Sequence, residues 1–327
     1  MKYAAPWWLP GGNAQTIWPA VAARRRRGPA PRFRRERWTT PDGDFVDLDW
    51  LAAAPPAPGP ARPLLALFHG LEGSSRSHYA EAFADVAAER GLDYVVPHFR
   101  GCSGELNKAA RAYHSGDHAE IGWILARLRE QRQGPLLAVG VSLGGNALLR
   151  WAGEAGVAAA RCADAVAAVC APLDLAAGAA AIGRGFNRLV YTQMFLRTMK
   201  PKALAKWEQH PGLFDRVRLA AARDLYEFDD VFTAPLHGFR DAADYYRRAS
   251  AKPHLHRIRI PALALNALND PFVPAASVPT AEEAGVQVTL WQPAQGGHVG
   301  FPCGPWPAHV RYMPEQVTSW LLRQAGR

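Results

Sequence analysis

Residues 136–150, with the sequence LLAVGVSLGGNALLR, constrain the fold more than any other part of this 327-residue chain. Their pattern predicts an apolar strand, a tight turn that carries one serine, and an amphipathic helix. In such a turn the serine is strained, and the residues two positions before and after it must lack bulky side chains. Gly140 and Gly144 meet that need around Ser142. The pattern predicts a serine nucleophile, and a glycine-rich strand-to-helix turn without chemistry is the alternative.

The rest of the chain alternates strand-like and helix-like segments. Strands are predicted at 64–68, 93–97, 136–141, 165–171, 262–266 and 286–291, and helices at 79–90, 119–131, 146–154, 275–284 and 315–323. This alternation indicates an α/β fold, a mostly parallel sheet with helices on both faces. Ligands of such sheets bind at the carboxyl ends of the strands. A hairpin is also predicted at 35–40 and 45–51, around a Pro-Asp-Gly-Asp turn.

Three parts are predicted along the chain. Residues 1–174 form the first part of the core and begin with a Trp-, Pro- and Arg-rich lead-in at 1–37, and residues 258–327 complete the core. Residues 175–257 have a helical pattern and many aromatic side chains, so we expect a lid over the carboxyl edge of the sheet. Most of these aromatics should pack against the core, and a minority should line an acyl pocket. Residues 52–63 are rich in proline and alanine, which predicts a loop.

A serine nucleophile needs a base and an acid, which in such a sheet follow it in the order serine, acid, histidine. His298 lies in a Gly-Gly-His-Val-Gly loop after the last predicted strand and is the predicted base. Asp270, after the strand at 262–266, and Asp174, after the strand before the lid, are both candidates for the acid. We favour Asp270 because it belongs to the strand pair that adjoins His298. Asp174 is then interpreted as a helix cap.

The tetrahedral intermediate of acyl transfer needs backbone N–H donors. The amide of Leu143, directly after the serine, is one predicted donor, and that of Leu71, in the loop after the strand at 64–68, is the second. His69 precedes the nucleophile in the chain, and we expect it to brace this loop. The pair His114 and His118 lacks the glutamate of a zinc-binding helix, so no metal and no cofactor are expected.

The chain has a net charge of +9, and many arginines lie at 24–27 and 32–37. A solvated face is the simplest interpretation, and contact with an anionic membrane, helped by Trp7, Trp8 and Trp18, is the alternative. No nucleic-acid-binding module accompanies these arginines, so no nucleic-acid partner is expected. The first residues lack the unbroken aliphatic run of a signal peptide, which predicts a cytoplasmic protein, with the inner membrane face as its site of peripheral contact. Four cysteines without a Cys-x-x-Cys pair are typical of free thiols.

Several longer motifs resemble those of the YheT-like branch of the α/β-hydrolases, bacterial relatives of the eukaryotic abhydrolase-domain lipid esterases. The shared segments are NAQT at 13–16, HGLEGSS at 69–75, HFRGCSG at 98–104, YHSGD at 113–117, GVSLGGN at 140–146, EFDD at 227–230, LHG at 236–238 and NDPF at 269–272. The similarity extends over nearly the whole chain. The chain departs from the family at Ala14, where a histidine is more frequent. The resemblance implies that Ser142, Asp270 and His298 are the charge-relay triad.

The resemblance also implies hydrolysis of carboxylic esters, with lipid or medium-chain acyl substrates in some members and transfer of the acyl group to an alcohol in others. Fold and family do not determine the substrate. Three functions therefore stay open. They are a serine esterase, an acyltransferase with the same triad, and a non-catalytic protein that binds a lipid or a partner. A small-molecule ester or lipid is the expected ligand, and nothing in the sequence indicates an oligomeric state.

Overall fold

The computed structural model describes residues 2–52 and 61–326, so most of the predicted loop at 52–63 lies outside the described residues. Its centre is one sheet of eight strands. The strands are β1 Phe33–Thr39, β2 Phe45–Leu51, β3 Leu64–Phe68, β4 Asp93–Pro97, β5 Leu136–Val141, β6 Ala165–Val169, β7 Ala262–Leu265 and β8 Val288–Trp291. Their order in the sheet is β1-β2-β4-β3-β5-β6-β7-β8.

Strands β3 to β8 pair in parallel, and the hairpin of β1 and β2 joins β4 antiparallel at one edge. Strand β3 shows why this sheet is the core: its five residues are all buried, with Leu65 and Leu67 on one face and Leu64, Ala66 and Phe68 on the other. Such continuous apolar runs are typical of parallel strands that are covered on both faces. The predicted α/β fold and the predicted hairpin are confirmed.

Helices cover both faces of the sheet and connect its strands. They are α1 Gly11–Val21, α2 His78–Glu89, α3 His118–Glu130, α4 Leu143–Ala155, α5 Leu175–Ile182, α6 Gly185–Asn187, α7 Gln193–Gln209, α8 Arg216–Ala221, α9 Leu225–Phe228, α10 Ala234–Leu236, α11 Ala242–Ala249, α12 Ala281–Ala284 and α13 Tyr312–Gln324. Single π-helical stretches cover Arg188–Thr192 and Asp229–Thr233, and 3₁₀ turns cover Gly156–Arg161, Lys252–Arg257 and Ala275–Ser277. Among the helices described, none is long and apolar enough to cross a bilayer.

Two sequence expectations differ from the structure. The helix predicted at 275–284 is wrong, because the chain forms only the turn Ala275–Ser277 and the short α12 there. Val278, which precedes Pro279, has the extended angles φ −65° and ψ 149°, as the residue before a proline usually does. The second difference is α1, which lies in a lead-in that has little helical periodicity. Pro19 lies inside this helix.

The helices from α5 to α11 lie between β6 and β7, and we call them the lid. α5 begins directly after Asp174, whose carboxylate accepts a hydrogen bond of 3.1 Å from the Ala177 amide. The interpretation of Asp174 as a helix cap is therefore confirmed.

A cavity of about 170 Å³ lies between the lid and the carboxyl ends of the strands, and Ser142 and His298 line it. The division of the chain at 174/175 and 257/258 into separate parts stays a prediction.

Candidate active site

Ser142 occupies the turn between β5 and α4 with φ +52° and ψ −117°, a conformation that costs energy for any residue with a side chain. The two flanking glycines make the turn feasible. A Cβ atom on Gly140 would lie 2.3 Å from the Gly144 carbonyl oxygen, and one on Gly144 would lie 2.4 Å from the Phe68 carbonyl oxygen. Both approaches are too close for any side chain. The turn lies at the carboxyl edge of the sheet, where the Ser142 amide donates to the Val169 carbonyl at 2.8 Å.

Ser142, His298 and Asp270 lie in one hydrogen-bonded line. The Nε2 atom of His298 is 3.0 Å from Oγ of Ser142, and its Nδ1 atom is 2.9 Å from Oδ2 of Asp270. The Asp270 side chain is fully buried, and that of His298 is 10% exposed. With the proton on Nδ1, the imidazole donates to the carboxylate and accepts from the serine hydroxyl. The structure thus brings the three side chains together, whereas Asp174 caps α5.

The carboxylate of Asp270 is held in its orientation by the loop that follows it. Its Oδ1 atom accepts hydrogen bonds from the amides of Phe272 at 2.8 Å and Val273 at 3.3 Å. Along the chain, Pro271 separates Asp270 from these two residues. The ring of Phe272 also contacts the imidazole of His298, with 4.2 Å between the ring centroids. One short segment therefore fixes the acid and covers one face of the base.

The predicted oxyanion donors, Leu71 and Leu143, line the same cavity as Ser142. Within residues 2–52 and 61–326, neither backbone N–H has a hydrogen-bond partner, so both are free to bind an oxygen atom. Leu143 is the first residue of α4, where the helix dipole adds partial positive charge. Gly70 lets the Leu71 loop approach the serine, because a Cβ atom at Gly70 would lie 3.3 Å from Cβ of Ser142.

His69 braces the loop that contains Leu71, as expected. Its side chain is fully buried. Its Nε2 atom accepts a hydrogen bond of 3.1 Å from the Phe99 amide, and its Nδ1 atom lies 2.8 Å from the Gly70 carbonyl oxygen. Burial lowers the pKa of His69 to about 3, so the imidazole is neutral and matches these two partners.

The lead-in contributes a polar side chain that the serine, acid and histidine motifs do not predict. Gln15 is fully buried, and its Oε1 atom accepts hydrogen bonds of 2.9 Å from the Gly296 amide and the Asn269 side chain. Asn269 in turn accepts a hydrogen bond of 3.0 Å from the Gly297 amide. The residues just before the acid and just before the base are therefore joined through one glutamine.

Thr16 has a comparable role one residue later. Its hydroxyl accepts a hydrogen bond of 2.8 Å from the His298 amide and donates one of 2.7 Å to the Gly12 carbonyl. The NAQT motif is the sequence signal that could have led to both residues. This motif belongs to the family resemblance, and neither composition nor periodicity relates residue 16 to residue 298.

One group of described residues has metal-ligand side chains close together, namely Cys170, Asp270 and His298. Their atoms already have hydrogen-bond partners, since the imidazole binds Asp270 and the Cys170 sulfur accepts from the Val299 amide at 3.2 Å. Burial raises the pKa of the Cys170 thiol well above its usual range, whereas a metal ligand must be a thiolate. The arrangement fits a proton-transfer site better than a metal centre.

The cavity beside Ser142 is lined mainly by apolar side chains from the lid and the core. The lid contributes Ile182, Phe195, Met199, Leu225, Phe228 and Phe232, among others. One polar pair joins the lid to the core at this cavity, where Nζ of Lys202, in α7, is 2.9 Å from a carboxylate oxygen of Glu72. The cavity therefore fits an apolar group that extends from a reactive centre at the serine.

Comparisons with known proteins show the family of this chain. Residues 63–305 match the α/β hydrolase fold family. The chain is 41% identical to YheT of Escherichia coli strain K12, a protein provisionally named an esterase, over 88% of this chain and 84% of that protein. It is 32% identical to the mouse protein named phospholipase ABHD3, over 87% of this chain and 70% of that protein.

Among solved structures, an esterase of Pyrobaculum calidifontis superposes with a TM-score of 0.55 at 17% identity, covering 91% of this chain and 86% of that one. This likeness concerns the fold alone. The family match, in contrast, covers well over half of the chain, and the relatives are named as enzymes that act on esters. The chain therefore belongs to the α/β-hydrolase family, in its YheT-like subfamily.

Proposed function

We propose that this protein is a serine esterase that cleaves carboxylic esters with lipid or medium-chain acyl groups through an acyl-Ser142 intermediate. The observation that carries the proposal is the distance of 3.0 Å between Nε2 of His298 and Oγ of Ser142. At that distance the imidazole can take the serine proton as the nucleophile attacks. The relatives named esterase and phospholipase support an ester substrate.

The proposed reaction has two halves. In the first, Oγ of Ser142 bonds to the ester carbonyl carbon, its proton moves to Nε2 of His298, and the amides of Leu71 and Leu143 hold the oxyanion. The intermediate then collapses, the bond to the leaving alcohol breaks, and His298 returns the proton to that alcohol. In the second half a water molecule gives a proton to Nε2 of His298 and attacks the acyl carbon. The bond from that carbon to Oγ of Ser142 then breaks, His298 returns the proton to Oγ, and the acid is released. Asp270 orients the imidazole throughout.

The lining of the cavity supports the acyl part of this substrate. Apolar lid side chains surround the space next to the serine, and such a surface binds an alkyl chain by removing it from water. Acyl transfer to an alcohol is the second candidate, because an apolar cavity under a lid disfavours water as the acceptor of the acyl group.

A fluorophosphonate probe combined with an ester panel tests the proposal. The probe should label the folded protein at Ser142, and p-nitrophenyl esters of graded chain length should be cleaved, with the Ser142→Ala protein inactive in both assays. A protein that is folded, unlabelled and inactive on all of the esters would refute the proposal. Product analysis in water–alcohol mixtures distinguishes the two candidates, since a transferase forms more of the new ester than the molar share of the alcohol predicts.

A further inference from the structure

The outer face of the lid next to the cavity is unusually apolar for a surface. Four large side chains within nine residues are exposed there: Phe186 at 49%, Leu189 at 75%, Val190 at 37% and Met194 at 50%. Their spacing keeps them on one side of the continuous helical stretch from α6 to α7. We call these four side chains, together with Arg184, Arg188 and Arg197, the lid face. Apolar side chains grouped in this way mark an interaction site more often than isolated ones do.

The charged residues in the stretch of chain that carries the lid face are all positive. From residue 175 to residue 207 the chain contains six lysines and arginines and no aspartate or glutamate. Arg184, Arg188 and Arg197 are exposed and, in the part of the chain that the structure describes, form no ion pair. Asp174 and Asp224 line a groove beside Arg184 without pairing with it. The lid face therefore has positive charge that internal carboxylates do not neutralise.

The arginines of the lead-in differ in this respect. Arg26 pairs with Glu81 at 2.9 Å, Arg35 with Asp49 at 2.7 Å, and Arg37 with Asp47 at 2.7 Å. Trp8 and Trp18 pack edge to face against each other, with 5.6 Å between ring centroids, which leaves Trp7 as the fully projecting tryptophan of the three, at 91% exposure. Cations that are already paired attract an external anionic surface less strongly. The lid face is accordingly a better candidate for membrane contact than the lead-in.

The inner side of the same stretch faces the reactive serine. Ile182, Phe195 and Met199 line the cavity that contains Ser142. Phe195 follows Met194 directly, so adjacent residues belong to the cavity wall and to the outer surface. The Tyr191 hydroxyl donates a hydrogen bond of 3.0 Å to Asn13, which ties this stretch to the lead-in that holds the His298 loop. The lid face thus covers the reactive centre from outside.

We propose that the lid face docks on an anionic lipid bilayer. An apolar stripe flanked by arginines is the arrangement of an interfacial helix, whose apolar side chains enter the headgroup region while its cations bind lipid phosphates. Docking in this orientation brings the wall of the cavity to the lipid surface. The inference deepens the proposed function by naming the physical state of the substrate, and binding itself needs no catalysis.

Vesicle sedimentation tests the proposal with a Ser142→Ala protein, which cannot hydrolyse the lipid. The vesicles contain phosphatidylcholine alone or with roughly a third of phosphatidylglycerol. The test variants are Leu189→Ser/Met194→Ser and Arg184→Gln/Arg188→Gln/Arg197→Gln. The matched controls are Val217→Ser, which alters a lid valine that is 79% exposed, and Arg161→Gln/Arg257→Gln/Arg323→Gln, which removes equal charge from other exposed positions.

We expect the parent protein to bind the anionic vesicles in a salt-sensitive manner. Each lid-face variant should bind about tenfold more weakly or worse, and both controls should stay within about twofold of the parent. Thermal melts check that all variants are folded. The proposal would be overturned if the parent did not bind the anionic vesicles, or if the control variants lost as much binding as the lid-face variants. It would also be overturned if Trp7→Ser alone abolished binding, or if light scattering showed a dimer that Leu189→Ser dissociates, since a second copy would then cover this face.

These outcomes are separate from those of the proposed esterase function. Labelling of Ser142 by a fluorophosphonate in the protein with its serine intact reports on the triad. Vesicle binding by the Ser142→Ala protein reports on the lid face. Either result can fail while the other holds.

Discussion

The hydroxyl of Thr16 accepts a hydrogen bond of 2.8 Å from the backbone amide of His298, 282 positions later in the chain. Together with Gln15, which joins the Asn269 side chain to the Gly296 amide, it holds the loops of the acid and the base against α1. Both side chains touch loop backbone or a supporting amide group rather than the reacting atoms. We therefore regard Thr16 and Gln15 as positioning residues.

Replacement of Thr16 by valine should lower kcat by about tenfold with little change in KM. The loss of the hydroxyl leaves the His298 amide without an acceptor in a buried place, which lets the imidazole move from its line between Asp270 and Ser142. Steady-state kinetics on a soluble ester measure this effect. Thr16→Ser keeps the acceptor and should retain most of the activity, and Thr39→Val on exposed β1 is a neutral control. Equal kcat values for the valine and serine variants would contradict the assigned role.

Asp270 and Asp174 should respond in opposite ways to replacement by asparagine. Asp270→Asn keeps the shape of the acid but favours the wrong imidazole tautomer, so kcat should fall by about 10³- to 10⁴-fold. Asp174→Asn weakens only the cap of α5, so kcat should stay within about twofold and the free energy of unfolding should fall by about 1 kcal/mol or less. Kinetics and urea unfolding on both variants check these outcomes. A large loss of kcat in Asp174→Asn alone would reverse the assignment of the acid.

Replacement of Gly144 by alanine should disrupt the serine turn. The added methyl group would lie 2.4 Å from the Phe68 carbonyl oxygen, a backbone atom that cannot move without shifting β3. We expect a loss of about 2 kcal/mol or more in the free energy of unfolding and a much slower reaction of Ser142 with a fluorophosphonate. Gly183→Ala, where the nearest atom would be 3.1 Å away, is a milder comparison in the lid. Parent-like labelling and stability of Gly144→Ala would show that the turn does not need glycine there.

Asp229 should make the stability of the lid depend on pH. Its carboxylate accepts hydrogen bonds from Thr233 at 2.5 Å and Tyr246 at 2.8 Å, yet burial raises its pKa from 3.8 to about 6. The folded protein then binds the proton more tightly than the unfolded chain, so the free energy of unfolding falls as pH rises from about 4 through about 6. Asp229→Asn cannot titrate. Its stability relative to the parent should therefore increase between pH 4.5 and 7.5 by about 1–2 kcal/mol, since the residue is only partly buried.

Urea unfolding of both proteins at the two pH values measures this difference. Asp215, which caps α8 at an exposed position, provides the control. Asp215→Asn also removes a lid carboxylate, but one that is in contact with water. A difference between parent and Asp229→Asn that is the same at both pH values would mean that Asp229 does not titrate in this range.

Local patterns were enough to predict most of the sheet. Strands β3 and β5 begin and end where their apolar runs do, because both faces of each strand are buried. The order of Ser142, Asp270 and His298 along the chain, with each residue after a different strand, was enough to expect that they meet at one edge. Both inferences rest on rules that apply to parallel sheets in general.

Other features depend on contacts between distant segments, which no local pattern reveals. The helix predicted at 275–284 failed because Pro279 restricts the residue before it, although the alanines and glutamates around it favour a helix. Gln15 and Thr16 were not assigned roles, because a buried glutamine and threonine have meaning only through partners about 250 to 280 residues away. That Arg184, Arg188 and Arg197 have no carboxylate partner among the described residues could likewise be known only after the neighbouring carboxylates were located.

The backbone of Ser142, at φ +52° and ψ −117°, has a consequence for how such a chain would change if its chemistry were no longer needed. Glycine adopts these angles without the steric penalty that serine bears, which is about 1–3 kcal/mol for a residue in so sparsely populated a region. A Ser142→Gly protein should therefore resist denaturant better than its parent while losing all covalent reactivity. In a lineage that did not need a serine here, drift toward glycine at this position would raise stability, so the strained serine is what the proposed role of Ser142 as nucleophile predicts.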